Sequence, residues 1–314
     1  MNVPSQIAFF FLCLLVLSGA SCPEEEDLYP CECEEEEDGV VLNCFGDAIT
    51  PADVQRALDL MRGVRMEAVE LYDIPDMGTL RGDLFEGQNI RKLEINHCDV
   101  EALTDGGKPA FSGLENSLEE LEIISSLESA SSLQLSHLRR LTELDLSYNQ
   151  LDELKANCFP SSLEYLIVSN NGIKNLDDRV FANLDNLRTL WLDGNVLKTY
   201  ERAWLPETLN ELHDLELDNN HLTSLPQDAF SNMPSLRTVS LRTNGIRTME
   251  QGTWEGVFQQ LSIISMEGNP LVCDSDMKWM KQTDIQLDIL WGTCHEPEDL
   301  AGVDISDWLD NLQE

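Results

Sequence analysis

Residues 141–151 read LTELDLSYNQL, with leucines at Leu141, Leu144, Leu146 and Leu151 and an asparagine at Asn149. The same spacing returns at Leu163, Leu166, Val168, Asn171 and Ile173, then at Leu187, Leu190, Leu192, Asn195 and Leu197. It continues at Leu212, Leu215, Leu217, Asn220 and Leu222, and at Leu236, Val239, Leu241, Asn244 and Ile246. The last copy is Leu261, Ile264, Met266, Asn269 and Leu271. Three weaker copies precede the first. They are Met66, Val69 and Leu71; Ile90, Leu93, Ile95, Cys98 and Val100; and Leu118, Leu121 and Ile123. First positions of the nine copies are 22 to 28 residues apart.

A period of this length and pattern is the signature of a leucine-rich-repeat solenoid, an α/β horseshoe with a parallel concave sheet. In the xLxLx core of each copy, alternate side chains face opposite ways, so the two leucines turn inward and their neighbours outward. One rung cannot bury its leucines alone; a stack can. The chain then turns, and the asparagine amide is placed to satisfy backbone groups inside the stack. Cys98 takes that position in its rung and reads as a structural thiol. Phe181, Phe230 and Phe258 recur in the return segments as core of the convex side. Cys158 precedes Phe159 in such a segment, two rungs from Cys98, too far for a disulfide, so both read as free.

The 314-residue chain opens with an apolar run, Ile7 to Leu17, followed by Ser18-Gly19-Ala20. Small residues there fit signal-peptidase cleavage after Ala20, making 1–20 a signal peptide. No later run is long enough to span a bilayer, and the polar tail DISDWLDNLQE argues against a lipid anchor. The expectation is a secreted, extracellular protein. Residues 1–20 carry no charge, so the net charge of −38 stays with the mature chain. That charge repels nucleic acid and anionic lipid and favours cationic partners. Eight cysteines remain after the signal peptide, and in a secretory chain such clusters read as disulfides. Cys22, Cys31, Cys33 and Cys44 allow three connectivities, with Cys31 and Cys33 too close in sequence to pair comfortably.

Both ends read as caps over an exposed core. Residues 21–62 form a cysteine-rich N-terminal cap, in which Thr50-Pro51 begins a helix. Residues 63–268 hold the repeats, and 269–314 a C-terminal cap with an acidic tail. The N-terminal cysteine order resembles that of leucine-rich N-terminal caps, which implies Cys22–Cys33 and Cys31–Cys44. NPLVCDSDMKWM and GTCHEPEDLAG resemble a C-terminal cap usually closed by four cysteines. Here Ser275 replaces the second and no fourth follows, so the resemblance implies the single bridge Cys273–Cys294, with Trp279 in the cap core.

The spacing C-P-x-x-E-D-x-x-P-C-x-C at Cys22–Cys33, with the repeats and this end, resembles secreted leucine-rich-repeat proteins of arthropods. That group includes the non-catalytic subunit of a luciferin monooxygenase. The resemblance implies a stabilising chain beside a small catalytic subunit with a basic surface, in a secreted luciferase-like complex. The residues also fit a stand-alone extracellular ligand-binding protein of adhesion or innate immunity, or an essential subunit of an enzyme complex.

No catalytic constellation is present: His97, His137, His213, His221 and His295 form no HExxH, and GxSxG, Walker and GxGxxG motifs are missing. His213-Asp214 has no nucleophile beside it and reads as a solvated pair. The run Glu34–Asp38 lacks the spaced ligands of a calcium loop and reads as solvated charge. No cofactor and no metal are expected. The outward residues remain. The central outward position reads Glu70, Glu94, Glu122, Asp145, Ile167, Trp191, Glu216, Ser240 and Ser265 down the rungs. We expect Ile167 and Trp191, with Tyr165 and Tyr148, to form an apolar anchor for a protein partner, ringed by Glu122, Asp145, Asp193, Asp214 and Glu216.

Overall fold

The computed structural model describes residues 21–104, 107–129, 133–282 and 289–312. The signal-peptide segment 1–20 lies outside the described residues.

Short strands stack into one twelve-stranded sheet. Glu32–Glu35 and Val40–Phe45 belong to the N-terminal cap. Nine rungs follow: Arg65–Tyr72, Asn89–Asn96, Glu120–Ile124, Glu143–Asp145, Tyr165–Ile167, Thr189–Trp191, Asp214–Glu216, Thr238–Ser240 and Ile263–Ser265. Leu290–Trp291 closes the sheet from the C-terminal cap. Neighbours pair in parallel except at the start, where Glu32–Glu35 runs antiparallel to Val40–Phe45. The parallel concave sheet expected of the repeats is present; in the segment before them, a connection as short as 36–39 can join only antiparallel strands. The inward leucines of every rung are buried in one continuous core.

The convex side is mostly turns. Its helices are α1 (Glu25–Leu28), α2 (Pro51–Leu60), α3 (Gln251–Phe258) and α4 (Ile305–Asp310). Helix α2 starts on a capping box: Thr50 Oγ1 accepts from Asp53 N at 3.3 Å, and Asp53 Oδ2 accepts from Thr50 N at 3.1 Å. Aromatic rings stack between return segments. Phe85 meets Phe111 at 5.6 Å between centroids, Phe159 meets Phe181 at 5.9 Å, and Phe258 meets Trp279 at 5.2 Å. The Trp279 indole N–H donates to Met249 O at 2.9 Å, tying the C-terminal cap to the last repeats.

The asparagines form a ladder. Asn195 Nδ2 donates to Leu192 O in its own rung and Val168 O in the previous one, both at 3.0 Å. Its Oδ1 accepts from Ile173 N at 3.1 Å. Asn149, Asn171, Asn220, Asn244 and Asn269 make the same kind of bonds. Disulfides join Cys22 to Cys33, Cys31 to Cys44 and Cys273 to Cys294. Cys98 and Cys158 are buried and free.

Candidate functional site

Sheet register places the central outward residues on one line. Glu70 pairs with Glu94, Glu94 with Glu122, and Glu122 with Asp145. The line continues through Ile167, Trp191, Glu216, Ser240 and Ser265. It does not stop there, because Ser265 pairs with Trp291. Adjacent members are about 4.8 Å apart across the sheet.

The apolar residues come together at the middle. Ile167 and Trp191 are half-buried on neighbouring strands, and Tyr165, 36% exposed, precedes Ile167 on the same face. The Trp191 indole N–H is buried with no acceptor among the described residues. Its ring therefore offers carbon surface outward. Tyr148 lies past its strand, in the turn, and is 61% exposed with φ +60°. Every rung has a left-handed residue there: Asp73, His97, Ser125, Tyr148, Asn170, Gly194, Asn219, Thr243 and Gly268. Glycine and asparagine adopt that backbone at little cost, and a bulky ring adopts it at a higher one. Tyr148 thus stands at the rim of the sheet, beside the anchor rather than within the column.

The acids differ along the face. On the N-terminal rungs they are internally matched. Lys92 Nζ lies 2.7 Å from Glu94 Oε1 and 2.9 Å from Glu122 Oε1. Arg91 is held between Glu67 and Glu120, and the Tyr72 hydroxyl donates to Glu94. Burial, then the charges of Glu122, Glu70 and Glu120, push the Glu94 carboxyl up to about 7.

Next to Trp191 the acids lack such cations. Asp145 accepts from Ser147 N at 2.8 Å, and burial raises its carboxyl above the usual range. Asp193 accepts from the Ser169 hydroxyl. Asp214 and Glu216 make no ion pair among the described residues. Burial raises Glu216, and the charges of Asp218 and Asp193 raise it further; Arg242 opposes them. Asp218 is raised by burial against the pull of its bonds from Ser240 Oγ and Arg242 N, each 2.6 Å. Burial leads in raising Asp145, Glu216 and Asp218; repulsion from neighbouring carboxylates adds to it, and Arg242 opposes it at Glu216 and Asp218. A cation arriving here relieves that repulsion.

Four participants were not read from the sequence: Tyr72, Lys92, Arg242 and Trp291. Lys92 and Tyr72 flank the central position by two residues, so the alternation that placed Glu94 also placed them. Trp291 carried no repeat signal because its rung lies in the cap. It is 44% exposed, and Arg242 Cζ sits 5.7 Å over its ring.

No catalytic arrangement emerges. His213 turns Nδ1 to the Glu211 carbonyl oxygen. Burial raises the Cys98 thiol to about 11 and Cys158 to about 12, which leaves neither nucleophilic at neutral pH. Among the described residues no His, Cys, Asp or Glu group could hold a metal ion, and no helix is long and apolar enough to cross a membrane. A groove of about 530 Å³ lies between convex return segments, lined by Asn210, Phe230, Met233 and Val257 without a charged side chain.

Stacked parallel rungs, an asparagine ladder and cystine-closed ends define a leucine-rich-repeat solenoid of extracellular type. A family model described as Leucine rich repeat matches residues 161–206 and 210–271, and a second, Leucine Rich Repeat, matches 140–161. The chain is 32% identical over 136 residues to the transforming growth factor beta activator LRRC32 of Mus musculus, covering 43% of this chain and 20% of that protein. It is 30% identical over 150 residues to lumican of Mus musculus, covering 40% and 42%. Toll-like receptor 8 of Homo sapiens is 27% identical over 219 residues, covering 65% and 19%. The matches thus span less than half the length of these relatives, whose names describe an activator and a receptor but no enzyme. In fold the chain is similar to a chain of the octameric complex of latrophilin 3, Unc5D and FLRT2, whose FLRT2 part is a leucine-rich repeat. The TM-score is 0.60 at 22% identity, covering 86% of this chain and 94% of that one.

Proposed function

We propose that this is a secreted binding protein that captures a cationic protein partner on its concave face and performs no chemistry itself. The observation that carries the reading is the apolar island of exposed Tyr165 and half-buried Ile167 and Trp191 beside carboxylates without ion pairs among the described residues. Apolar side chains of the partner would rest on Trp191 and Ile167, with Tyr148 at the rim. Its Lys or Arg residues would meet Asp145, Asp193, Asp214 and Glu216; Glu122, paired with Lys92, would contribute less. Buried aromatics commonly dominate interface energy, so Trp191→Ala should cost about 2 kcal/mol or more of binding. Crosslinking of the native protein with mass spectrometry would identify the partner, and affinities of Trp191→Ala and Ile167→Ser would test the site. Unchanged affinity in both folded variants would move the site elsewhere.

A narrower reading follows from the N-terminal cysteine motif and its resemblance to the non-catalytic subunit of the Oplophorus luciferin monooxygenase. In it the partner is a small catalytic subunit that this chain stabilises. Purification of the native protein separates the two. A co-purifying small protein with oxidative activity supports the subunit role, and its consistent absence favours a stand-alone binder.

A further inference from the structure

The central column carries an aromatic at two places. Trp191 is one. Trp291 lies four strand steps further, through Glu216, Ser240 and Ser265, which is about 19 Å. The residues between them are not alike. Ser240 and Ser265 are buried, so the floor before Trp291 is low. On the rung after Trp191, acids occupy all three outward positions: Asp214, Glu216 and Asp218. The strand itself is Asp214–Glu216, and with the start of the turn the row to Asp218 covers at most about 13 Å.

These dimensions choose between occupants. An extended peptide lying along the stack advances about 3.3 Å per residue, so only one or two of its side chains pass over a single rung about 4.8 Å wide, where a helix rising about 1.5 Å per residue brings about three. A helix with its side chains is about 10–12 Å across, and its Lys and Arg residues reach sideways to acids on both flanks. The span of about 19 Å falls between same-face helix spacings of eleven and fourteen residues, roughly 16 and 21 Å. Charge points the same way: among the described residues Asp193, Asp214 and Glu216 make no ion pair, whereas the Arg242 guanidinium already covers the Trp291 ring and pairs with Glu267 Oε2 at 2.7 Å. The second anchor is therefore an aromatic–guanidinium shelf suited to an apolar or aromatic side chain.

We infer that the concave face is a two-anchor cradle for a cationic amphipathic helix of a protein partner, lying along the stack with apolar residues on Trp191 and Trp291. This rests on the concave-face reading and adds the partner's secondary structure, its length and a second contact.

The probe is a labelled Ala/Lys helical peptide of about twenty residues with two leucines eleven positions apart, followed by fluorescence anisotropy at physiological salt. The control has the same composition with the leucines nine positions apart, on opposite faces. The same-face peptide is expected to bind about tenfold tighter than the control. Trp291→Ala should abolish that advantage while circular dichroism shows an intact fold. Equal binding of the two peptides, or an unchanged advantage in Trp291→Ala, overturns the two-anchor cradle. If Trp191→Ala weakens binding and Trp291→Ala does not, the single-anchor site stands and this inference falls. If neither tryptophan matters, both fall.

Discussion

From Asn149 onward, an asparagine stands three residues after the second inward side chain of every repeat rung; before it, Ile74, Cys98 and Ser126 hold that place. The strands change with it. Arg65–Tyr72 and Asn89–Asn96 run eight residues and Glu120–Ile124 five, where each later rung from Glu143–Asp145 to Ile263–Ser265 runs three. Where a side-chain amide fastens the turn, a short strand is enough. Where it does not, the sheet continues pairing further. Smaller substitutes help: Ser126 Oγ donates to Ile95 O at 2.9 Å, and Cys98 Sγ lies 3.5 Å from Leu71 O, the two carbonyls an asparagine would reach. The family models match only within 140–271, inside the asparagine-bearing stretch.

Charge divides along nearly the same line. The early rungs spend Lys92 and Arg91 on their own carboxylates, whereas Asp193, Asp214 and Glu216 make no ion pair among the described residues; Asp193 bonds the Ser169 hydroxyl, and Arg242 acts on Glu216 by its charge alone. The N-terminal rungs are thus the ion-paired half of the concave face, and the rungs around Trp191 the open half.

The largest effect expected from this contrast is on stability. Asn195→Ala would leave Ile173 N without an acceptor and take one of two amide donors from Val168 O and Leu192 O, which Asn171 and Asn220 also reach, and should cost about 2 kcal/mol or more. Cys98→Ala should cost only about 1 kcal/mol, since the thiol is a weak donor. Urea denaturation of the two variants measures this, and equal costs would mean the ladder is not what fastens the later rungs.

Glu94 gives the next effect. Its folded pKa of about 7 exceeds the ordinary 4.5, so the folded state binds the proton more tightly. Stability is accordingly gained as pH falls from about 7 toward 4.5 and is lowest above 7. Glu94→Gln should raise stability at pH above 7 by on the order of 1–3 kcal/mol and flatten that window. Melting temperatures across the window would show it; an unchanged slope would assign the pH dependence to other groups.

A smaller change is expected at Tyr148, on the border of the two stretches. Tyr148→Asn places there the residue that stands at Asn170 on the next rung, and should add roughly 0.5 kcal/mol by easing the left-handed backbone. A loss of stability would mean the exposed ring packs on the rim and supports the fold.

Much of this was legible because the repeat fixes parity. Once Leu144 and Leu146 point inward, Asp145 must point outward, and the same rule places Ile167, Trp191 and Glu216. Other features escaped for physical reasons. Ser126 hid in the asparagine position because a hydroxyl imitates only part of an amide. The Lys92 bridge joins Glu94 on its own strand to Glu122 on the next, so it appears only once rungs are stacked. Trp291 lies where the leucine pattern has ended, and the antiparallel start at Glu32–Glu35 comes from a tight connection outside the repeat.

The measurement that tests the open-half account most directly compares two charge-matched triple variants binding the same-face cationic peptide. One is Asp193→Asn with Asp214→Asn and Glu216→Gln; the other is Glu70→Gln with Glu94→Gln and Glu122→Gln. Measured at about pH 8.5, above the Glu94 value of about 7, each removes three negative charges, so long-range attraction changes alike. The account predicts about a tenfold loss, roughly 1.4 kcal/mol, for the first and less than about twofold for the second. Equal losses in two folded variants would contradict it, leaving the acidic face a uniform field with no particular site.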